Sequence, residues 1–273
     1  MKSIDSKPNI SLTSADGFIF CFYPTCEVKK SLFSRIFHKQ KNADYSAFCQ
    51  LDGYTGNEVN LVLPVRSPDG RIVKTIADYA FNYHKDLVRV VIPEGVESIG
   101  HEAFHECTSL TSITLPEGLS TISYQMFSNC YSLAEITLPK SVKCIQFGAF
   151  SGCRSLKSFI IPSGETSIGH EVFYGCSSLT SVTIPQTVIS VGESAFECCS
   201  SLETITIPNG VAVIGDFAFR HCSSLAGITI PQSVEKIGRD VFSFTFPNLT
   251  IHGVSGSYAE TYAKEQEIKF IVQ

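Results

Sequence analysis

Apolar side chains recur through most of the chain at one fixed step. Phe81, Phe104, Phe127, Phe150, Phe173, Phe196, Phe219 and Phe242 lie 23 residues apart, and Pro93, Pro116, Pro139, Pro162, Pro185, Pro208 and Pro231 keep the same interval. Cys107, Cys130, Cys153, Cys176, Cys199 and Cys222 share it, as do Ser109, Ser132, Ser155, Ser178, Ser201 and Ser224, each just before a Leu. Within a unit the apolar spacing changes. Ile113 and Leu115 alternate with polar neighbours as on a strand, whereas Ile99, Ala103, Phe104 and Cys107 step by four, one and three as on a short helical face. Each unit is therefore predicted to carry one strand limb and one limb of short helical turns. Such units cannot bury their apolar faces alone, so they stack into a solenoid. A parallel β-helix would show strand alternation in every limb, and the second limb argues against it.

The period and the Leu110-x-x-Ile113-x-Leu115 signature match leucine-rich repeats. The predicted fold class is an α/β solenoid, a leucine-rich repeat horseshoe with a β-rich cap before it and a helix-plus-strand cap after it. At about 4.8 Å per strand, eight units give an axis of roughly 35 to 40 Å. The first unit starts at Leu63-Pro64 and carries extra residues around Ser67-Pro68-Asp69-Gly70, a turn by composition, before Val73, Ile76, Ala80 and Phe81 regain the register. Upstream, residues 17–23 and 46–51 read as strands, with Gly53-Tyr54-Thr55-Gly56 turning into a strand over 59–63. Downstream, Ser257 and Glu260 form a capping box for a helix to about Glu267, followed by a strand over 268–272. The expected divisions are 1–62, a β cap interrupted by a basic insert at 28–42; 63–252, the solenoid; and 253–273, the closing cap.

The unit Ile-Pro-x-x-Val-x-x-Ile-Gly-x-x-Ala-Phe-x-x-Cys-x-Ser-Leu, the Gly53-to-Gly56 segment and the run from Gly256 to Lys264 together resemble the BspA-like, or Treponema-type, leucine-rich repeat proteins of bacteria and some parasitic protists. The resemblance covers roughly residues 17–270. It implies surface-exposed or secreted relatives, some of them adhesins that bind host proteins. Three features depart from the pattern: the start of the chain has no apolar signal core, the basic insert interrupts the leading cap, and Glu165 stands where the template has Val. The expectation for Glu165 is a local loosening of the stack, offset if its carboxylate reaches solvent.

Composition narrows the function classes. The net charge is −5, and the segment Val28 to Asn42 holds five of the 21 Lys and Arg and no acidic residue. The remainder is acidic, which disfavours nucleic-acid binding, and no apolar run is long enough to span a bilayer. Membrane attachment is accordingly not expected, and a monomer is. His101-Glu102-Ala103-Phe104-His105 matches the zinc hydrolase motif His-Glu-x-x-His. The register explains it otherwise, because Ala103 and Phe104 are template core positions while His101, Glu102 and His105 fall in variable ones. The in-register cysteines read as small buried core residues; Cys21, Cys26 and Cys49 in the leading cap are left open. Nucleotide loops and nucleophile elbows are absent from the sequence, so no cofactor and no catalytic residue is expected.

The outward positions of the strand limb form two columns. One holds Arg89, Ser112, Glu135, Ser158, Ser181, Thr204 and Gly227; the next holds Val91, Thr114, Thr137, Ile160, Thr183, Thr206 and Thr229. Small hydroxyl side chains suit an exposed strand, and they also leave an open, hydrogen-bonding face of the kind solenoids use for partners. The leading expectation is a non-enzymatic module that binds a protein through this face. A second is attachment to a membrane or anionic surface through Lys29, Lys30, Arg35, Lys39 and Lys41, because Val28, Leu32, Phe33, Ile36 and Phe37 would share one side of a helix. The alternative role for that insert is to cap the first strands. A metallohydrolase ranks last.

Overall fold

The computed structural model describes residues 10–22 and 48–273. Its repeats wind as a β-solenoid in which most turns lay down a three-residue strand, a two-residue strand and a run of tight turns. The strand Arg89–Val91 pairs in parallel with Ser112–Thr114, Arg89 opposite Ser112, one sequence period away. The same register recurs in Ser158–Ile160 against Ser181–Thr183 and in Thr204–Thr206 against Gly227–Thr229. Alternation buries Val90, Ile113, Phe159, Ile205 and Ile228 and turns their neighbours outward. A second parallel ladder runs through Ser167–Ile168, Ser190–Val191, Val213–Ile214 and Lys236–Ile237.

The limb expected to be helical is not helical. Among the described residues the α-helix is confined to α1, Tyr258–Glu265, beyond the repeats. Ile99, Ala103, Phe104 and Cys107 instead belong to a short strand and to successive turns closed by i→i+3 bonds, such as Cys107 N–H to Phe104 O at 3.2 Å and Leu110 N–H to Cys107 O at 3.0 Å. Intervening amides leave the turn and reach the next repeat: Glu102, Phe104 and Glu106 donate to the carbonyls of Tyr124, Met126 and Ser128 at 2.9, 3.0 and 2.8 Å. A helix would commit those donors to its own carbonyls. Aiming them along the stack requires left-handed backbone twice per repeat, at Tyr79 and Tyr83, Glu102 and Glu106, Gln125 and Asn129, and onward to Asp240 and Phe244. In those two columns glycine appears only as Gly148, Gly152 and Gly175. The architecture is thus nearer the β-helix than the periodicity implied, with two ladders joined by a turn limb.

Two side-chain columns hold the stack together. The phenylalanines form a continuous pile of near-parallel rings, with centroids 5.0 Å apart at Phe81–Phe104 and 5.3 Å at Phe196–Phe219. Tyr54 closes one end against Phe81 at 6.1 Å, and Tyr262 the other against Phe242 at 6.0 Å. Beside the pile, each in-register thiol donates to the phenylalanine carbonyl of the preceding repeat, as Cys107 does to Phe81 O at 3.1 Å and Cys153 to Phe127 O at 3.2 Å. These cysteines are fully buried, and the S–H donor explains why the column is not simply Ala.

Close approach on the turn limb depends on a glycine column. A Cβ on Gly215 would lie 2.6 Å from the Glu193 nitrogen, and on Gly192 2.7 Å from the Gly169 carbonyl carbon. Ser123 occupies the same column, and there the short strands Ser98–Ile99 and Thr121–Ile122 do not pair; the Ser123 hydroxyl donates to Ile99 O at 2.5 Å. Pairing also lapses between Cys144–Ile145 and Ser167–Ile168, beside Glu165. The Glu165 carboxylate does not reach solvent: the residue is 4% exposed and accepts from Ile145 N–H at 2.5 Å, Thr166 N–H at 3.1 Å and Ser167 N–H at 3.4 Å. Backbone amides take the place of water, which corrects the solvent-facing expectation.

At the start, Ile10–Thr13, which the pattern did not predict, pairs antiparallel with Phe18–Phe22, and that strand pairs antiparallel with Phe48–Tyr54. The last of these runs parallel to Ile72–Ile76 and so launches the second ladder. At the far end the Ser257 hydroxyl accepts Glu260 N–H at 3.3 Å, while Glu260 accepts Gly256 N–H at 2.6 Å. Lys269–Val272 then adds a parallel strand to Thr250–Gly253.

Candidate binding surfaces

The strand limb presents the two predicted columns outward. Arg89, Thr114, Glu135, Thr137, Ser158, Ile160, Ser181, Thr183, Thr204 and Thr206 are exposed, while Val91, Ser112, Gly227 and Thr229 are half-buried. Their ladder is not continuous. Residues 135–137 form no strand, and Ser181–Thr183 is not paired with Thr204–Thr206. At these interruptions Ile136, Leu138, Val182 and Ile184 are only partly covered, although equivalent residues elsewhere are buried. Between the interruptions sits the pair Ser158–Ile160 and Ser181–Thr183, on which the Ile160 side chain is 74% exposed. A large aliphatic group is thereby held on rigid backbone with Thr137 and Thr183 to either side in its column.

The His-Glu-x-x-His segment does not form the face its chemistry requires. Glu102 and Glu106 have positive φ, the segment is a run of turns, and His101 is exposed while His105 is half-buried with its Nδ1 enclosed. The motif brings its two imidazoles to one metal by placing them at i and i+4 on a helical face, which this segment lacks. Among the described residues no three His, Cys, Asp or Glu side chains gather as a metal site. The cations proposed for surface attachment, Lys29, Lys30, Arg35, Lys39 and Lys41, lie outside the described residues, as does Cys26. Cys49 is buried, and burial pushes its thiol pKa up. Burial does the same, far more strongly, along the cysteine column, to about 12 at Cys107, Cys176 and Cys222. These thiols are poor nucleophiles.

Sequence reasoning overlooked the turn limb. Its outward columns change character along the axis. Early repeats carry rings: Tyr83 stands edge-on to His105 at 5.7 Å, His101 edge-on to Tyr124 at 6.0 Å, and Tyr124 stacks on Phe147 at 5.2 Å. Later repeats add ion pairs to the rings: Arg220 pairs with Glu197 at 2.5 Å and Arg239 with Asp216 at 2.9 Å, both guanidinium groups lie over the Phe217 ring, and His221 stacks on Phe244 at 4.6 Å. Glu197 is itself buried, and Ser194 donates to it at 2.6 Å. Reading the variable positions at the 23-residue step shows part of this change, because Asp78, His101, Tyr124, Phe147, His170, Glu193, Asp216 and Arg239 are one column.

Comparison with known proteins agrees with this geometry. The model of the BspA type leucine rich repeat region matches residues 74–165 and 145–260, with six copies. The crystal structure of a leucine-rich repeat protein from Bacteroides ovatus is 30% identical, with a TM-score of 0.72; the match covers 80% of this chain and 60% of that one, so the chain spans less than two thirds of this relative. The Treponema pallidum leucine-rich repeat protein is 28% identical over 84% of this chain and 92% of its own, with a TM-score of 0.59. A leucine-rich cell surface protein from Faecalibacterium prausnitzii is 26% identical over 92% of this chain and 78% of its own, with a TM-score of 0.60. Comparison with curated proteins gives no significant match. With the family pattern covering most of the sequence and the same turn-by-turn winding in relatives, the chain belongs to the BspA-type leucine-rich repeat family.

Proposed function

We propose that the chain is a non-catalytic binding module whose strand face recognises a protein, in the manner of an adhesion or interaction scaffold at a cell surface. The observation that carries this reading is Ile160, a large aliphatic side chain 74% exposed in the middle of a rigid, hydroxyl-lined face. An apolar anchor surrounded by small polar groups is the usual centre of a protein interface. The exposed Thr137, Thr183 and Thr206 would supply hydrogen bonds at little entropic cost, because short β-branched side chains have few rotamers to lose. The surface setting follows the description of the Faecalibacterium prausnitzii relative.

A photo-crosslinking residue at position 160 tests this reading, with another at Ile189, which is 58% exposed but belongs to the second ladder's limb. Incubated with intact cells from the native environment, the first should crosslink a discrete protein and the second should not. With that protein in hand, Ile160→Asp, and separately Thr137→Lys with Thr183→Lys and Thr206→Lys, should weaken binding by about tenfold or more. Unfolding should stay nearly unchanged. Crosslinking from position 189 alone, or full affinity in both variants, would move the interface off the strand face.

A further inference from the structure

The last turn limb, the loop from Phe244 to Asn248 and the end of α1 border a cavity of about 580 Å³, within the roughly 300 to 1,000 Å³ of small-molecule sites. Tyr262, which closes the ring pile, also lines this cavity. Its side chain packs edge-on to Phe242 at 6.0 Å, and the residue is only 9% exposed. Among the described residues its hydroxyl has no hydrogen-bond partner. Nor is that oxygen sealed in, because the enclosed side-chain atoms without a partner among the described residues are Asn82 Oδ1 and His105 Nδ1. The phenol therefore opens on the cavity that Tyr262 lines. Buried polar groups are ordinarily paired, so a recessed phenol of this kind points to a ligand that completes it.

Charge and shape select the class. The walls carry two carboxylates, Asp240 and Glu267, against one ammonium, Lys269, which is exposed on its strand. Asp240 Oδ1 accepts the Ser243 hydroxyl at 3.1 Å. Among the described residues neither carboxylate forms a salt bridge, and the neighbouring cation Arg239 is held by Asp216 at 2.9 Å. Gln266 and Glu267 bring the C-terminal end of α1 to the same wall, where partial negative charge accumulates. Burial, then Asp240 and Tyr258, push the Tyr262 pKa up to about 12, so the phenol stays neutral and its oxygen can accept a hydrogen bond. Phe244 and Phe246 add rings that are 71% and 39% exposed, the first with one face on His221 at 4.6 Å. Ring faces attract cations and pack on other rings.

We propose that this cavity binds a small aromatic amine in its ammonium form, the charged nitrogen seated between Tyr262 and Asp240 and the ring packed on Phe244 and Phe246. The ammonium donates to the phenol oxygen and to the carboxylate, the stronger kind of hydrogen bond. An anion of the same shape is repelled by Asp240 and Glu267, and a neutral one leaves their charge unanswered. A folded protein surface cannot follow into the recess, because Tyr262 is reached only by a narrow group.

Titration calorimetry with phenethylamine, tyramine and tryptamine tests this, with phenylacetate as the anionic counterpart and phenethyl alcohol as the neutral one. At least one amine should bind saturably at a single site, about tenfold or more tighter than either counterpart. Tyr262→Phe and Asp240→Asn should each weaken that amine by about tenfold, and Phe244→Ala by about threefold. Their urea midpoints should hold, because the Tyr262 hydroxyl bonds to nothing in the described protein, Asn keeps an oxygen for Ser243, and Phe244 is exposed. Ile160→Asp should bind the amine like the unmodified chain, so failure of the strand-face reading and failure of this one are separable. No saturable binding by any of the three amines, equal affinity for phenylacetate or phenethyl alcohol, or full affinity in any of the three cavity variants would overturn the proposal.

Discussion

Phe150→Ala removes the middle of the ring pile and gives the most direct measure of what that pile contributes. The Phe150 side chain has no exposed surface. It stacks on Phe127 at 5.5 Å and 18°, on Phe173 at 6.0 Å and 9°, and meets Phe159 edge-on at 4.9 Å. Truncating a buried Phe costs about 3 to 5 kcal/mol through lost transfer energy and the cavity left behind. Three ring contacts are lost with it, and the repeats on either side cannot close the gap because covalent turns and inter-repeat amide bonds hold their spacing. The expected loss is therefore at the upper end, about 4 to 5 kcal/mol, a large fraction of the stability of an ordinary domain. Phe150→Leu keeps most of the volume and should lose only about 1 to 2 kcal/mol. Phe244→Ala, at a side chain 71% exposed, should change stability by no more than about 0.5 kcal/mol. Urea unfolding followed by far-ultraviolet circular dichroism and tyrosine fluorescence is suitable, since the chain has no Trp. A loss below about 1 kcal/mol for Phe150→Ala, or equal losses for the Ala and Leu variants, would show that the rings are not the spine.

Under native conditions thiol reagents should label the exposed Cys144 and half-buried Cys198 while sparing the six in-register cysteines until the chain unfolds, as mass spectrometry of labelled peptides will show. Burial raises the folded-state pKa of Cys107, Cys176 and Cys222 from the ordinary 9.0 to about 12. The unfolded chain gives up those protons first, so their contribution to stability is complete below about pH 9 and is lost as the pH rises toward 12; melting temperatures that hold steady across that window would contradict the burial. Glu171 has positive φ in a column where Gly148 is also found, and burial, with Glu197 and Glu193 nearby, raises its carboxyl pKa. Glu171→Gly should therefore stabilise the chain by about 1 kcal/mol at neutral pH. That gain should shrink as the pH falls through the raised pKa and the wild-type carboxyl protonates, which denaturant midpoints at pH 7 and pH 4 will register.

The solenoid, its period and the burial of Phe, Cys and Leu columns were legible because each repeats one physical requirement at one interval. The misread limb has an equally physical cause. Steps of four, one and three at Ile99, Ala103, Phe104 and Cys107 satisfy a helix, but they also satisfy a chain of turns that returns to the same inward face. The feature that separates the two is left-handed backbone at residues such as Tyr79, Glu102 and Phe217. Non-glycine occupants hide that conformation from composition, and only Gly148, Gly152 and Gly175 hint at it. The strand-face columns were readable from alternation alone, whereas the interruptions at 135–137 and after Thr183 depend on how neighbouring repeats settle. Glu165 was visible as an oddity, but its three amide partners come from backbone that its own presence has unpaired. The turn-limb rings were not legible from the repeat pattern because they occupy positions that vary from one unit to the next.

The lapse in pairing at Ser123 has a mechanical consequence. Between the unit containing Ser98–Ile99 and Ser112–Thr114 and the unit after it, neither ladder is joined, and a cleft of about 550 Å³ lined by Glu97, Gly118 and Leu119 opens beside the second. Only the turn limb crosses this junction with backbone bonds, through Glu102, Phe104 and Glu106. Every other junction from Arg89 to Thr250 is tied by at least one ladder. Amide exchange in a stack of this kind follows local opening, so the chain should divide there into two cooperative blocks, with Thr121 and Ile122 exchanging before Val213 and Ile214. Under tension along the axis the same junction is the hinge that opens first, leaving the block that holds Ile160 wound while the block that holds Tyr79 and Tyr83 swings away from it.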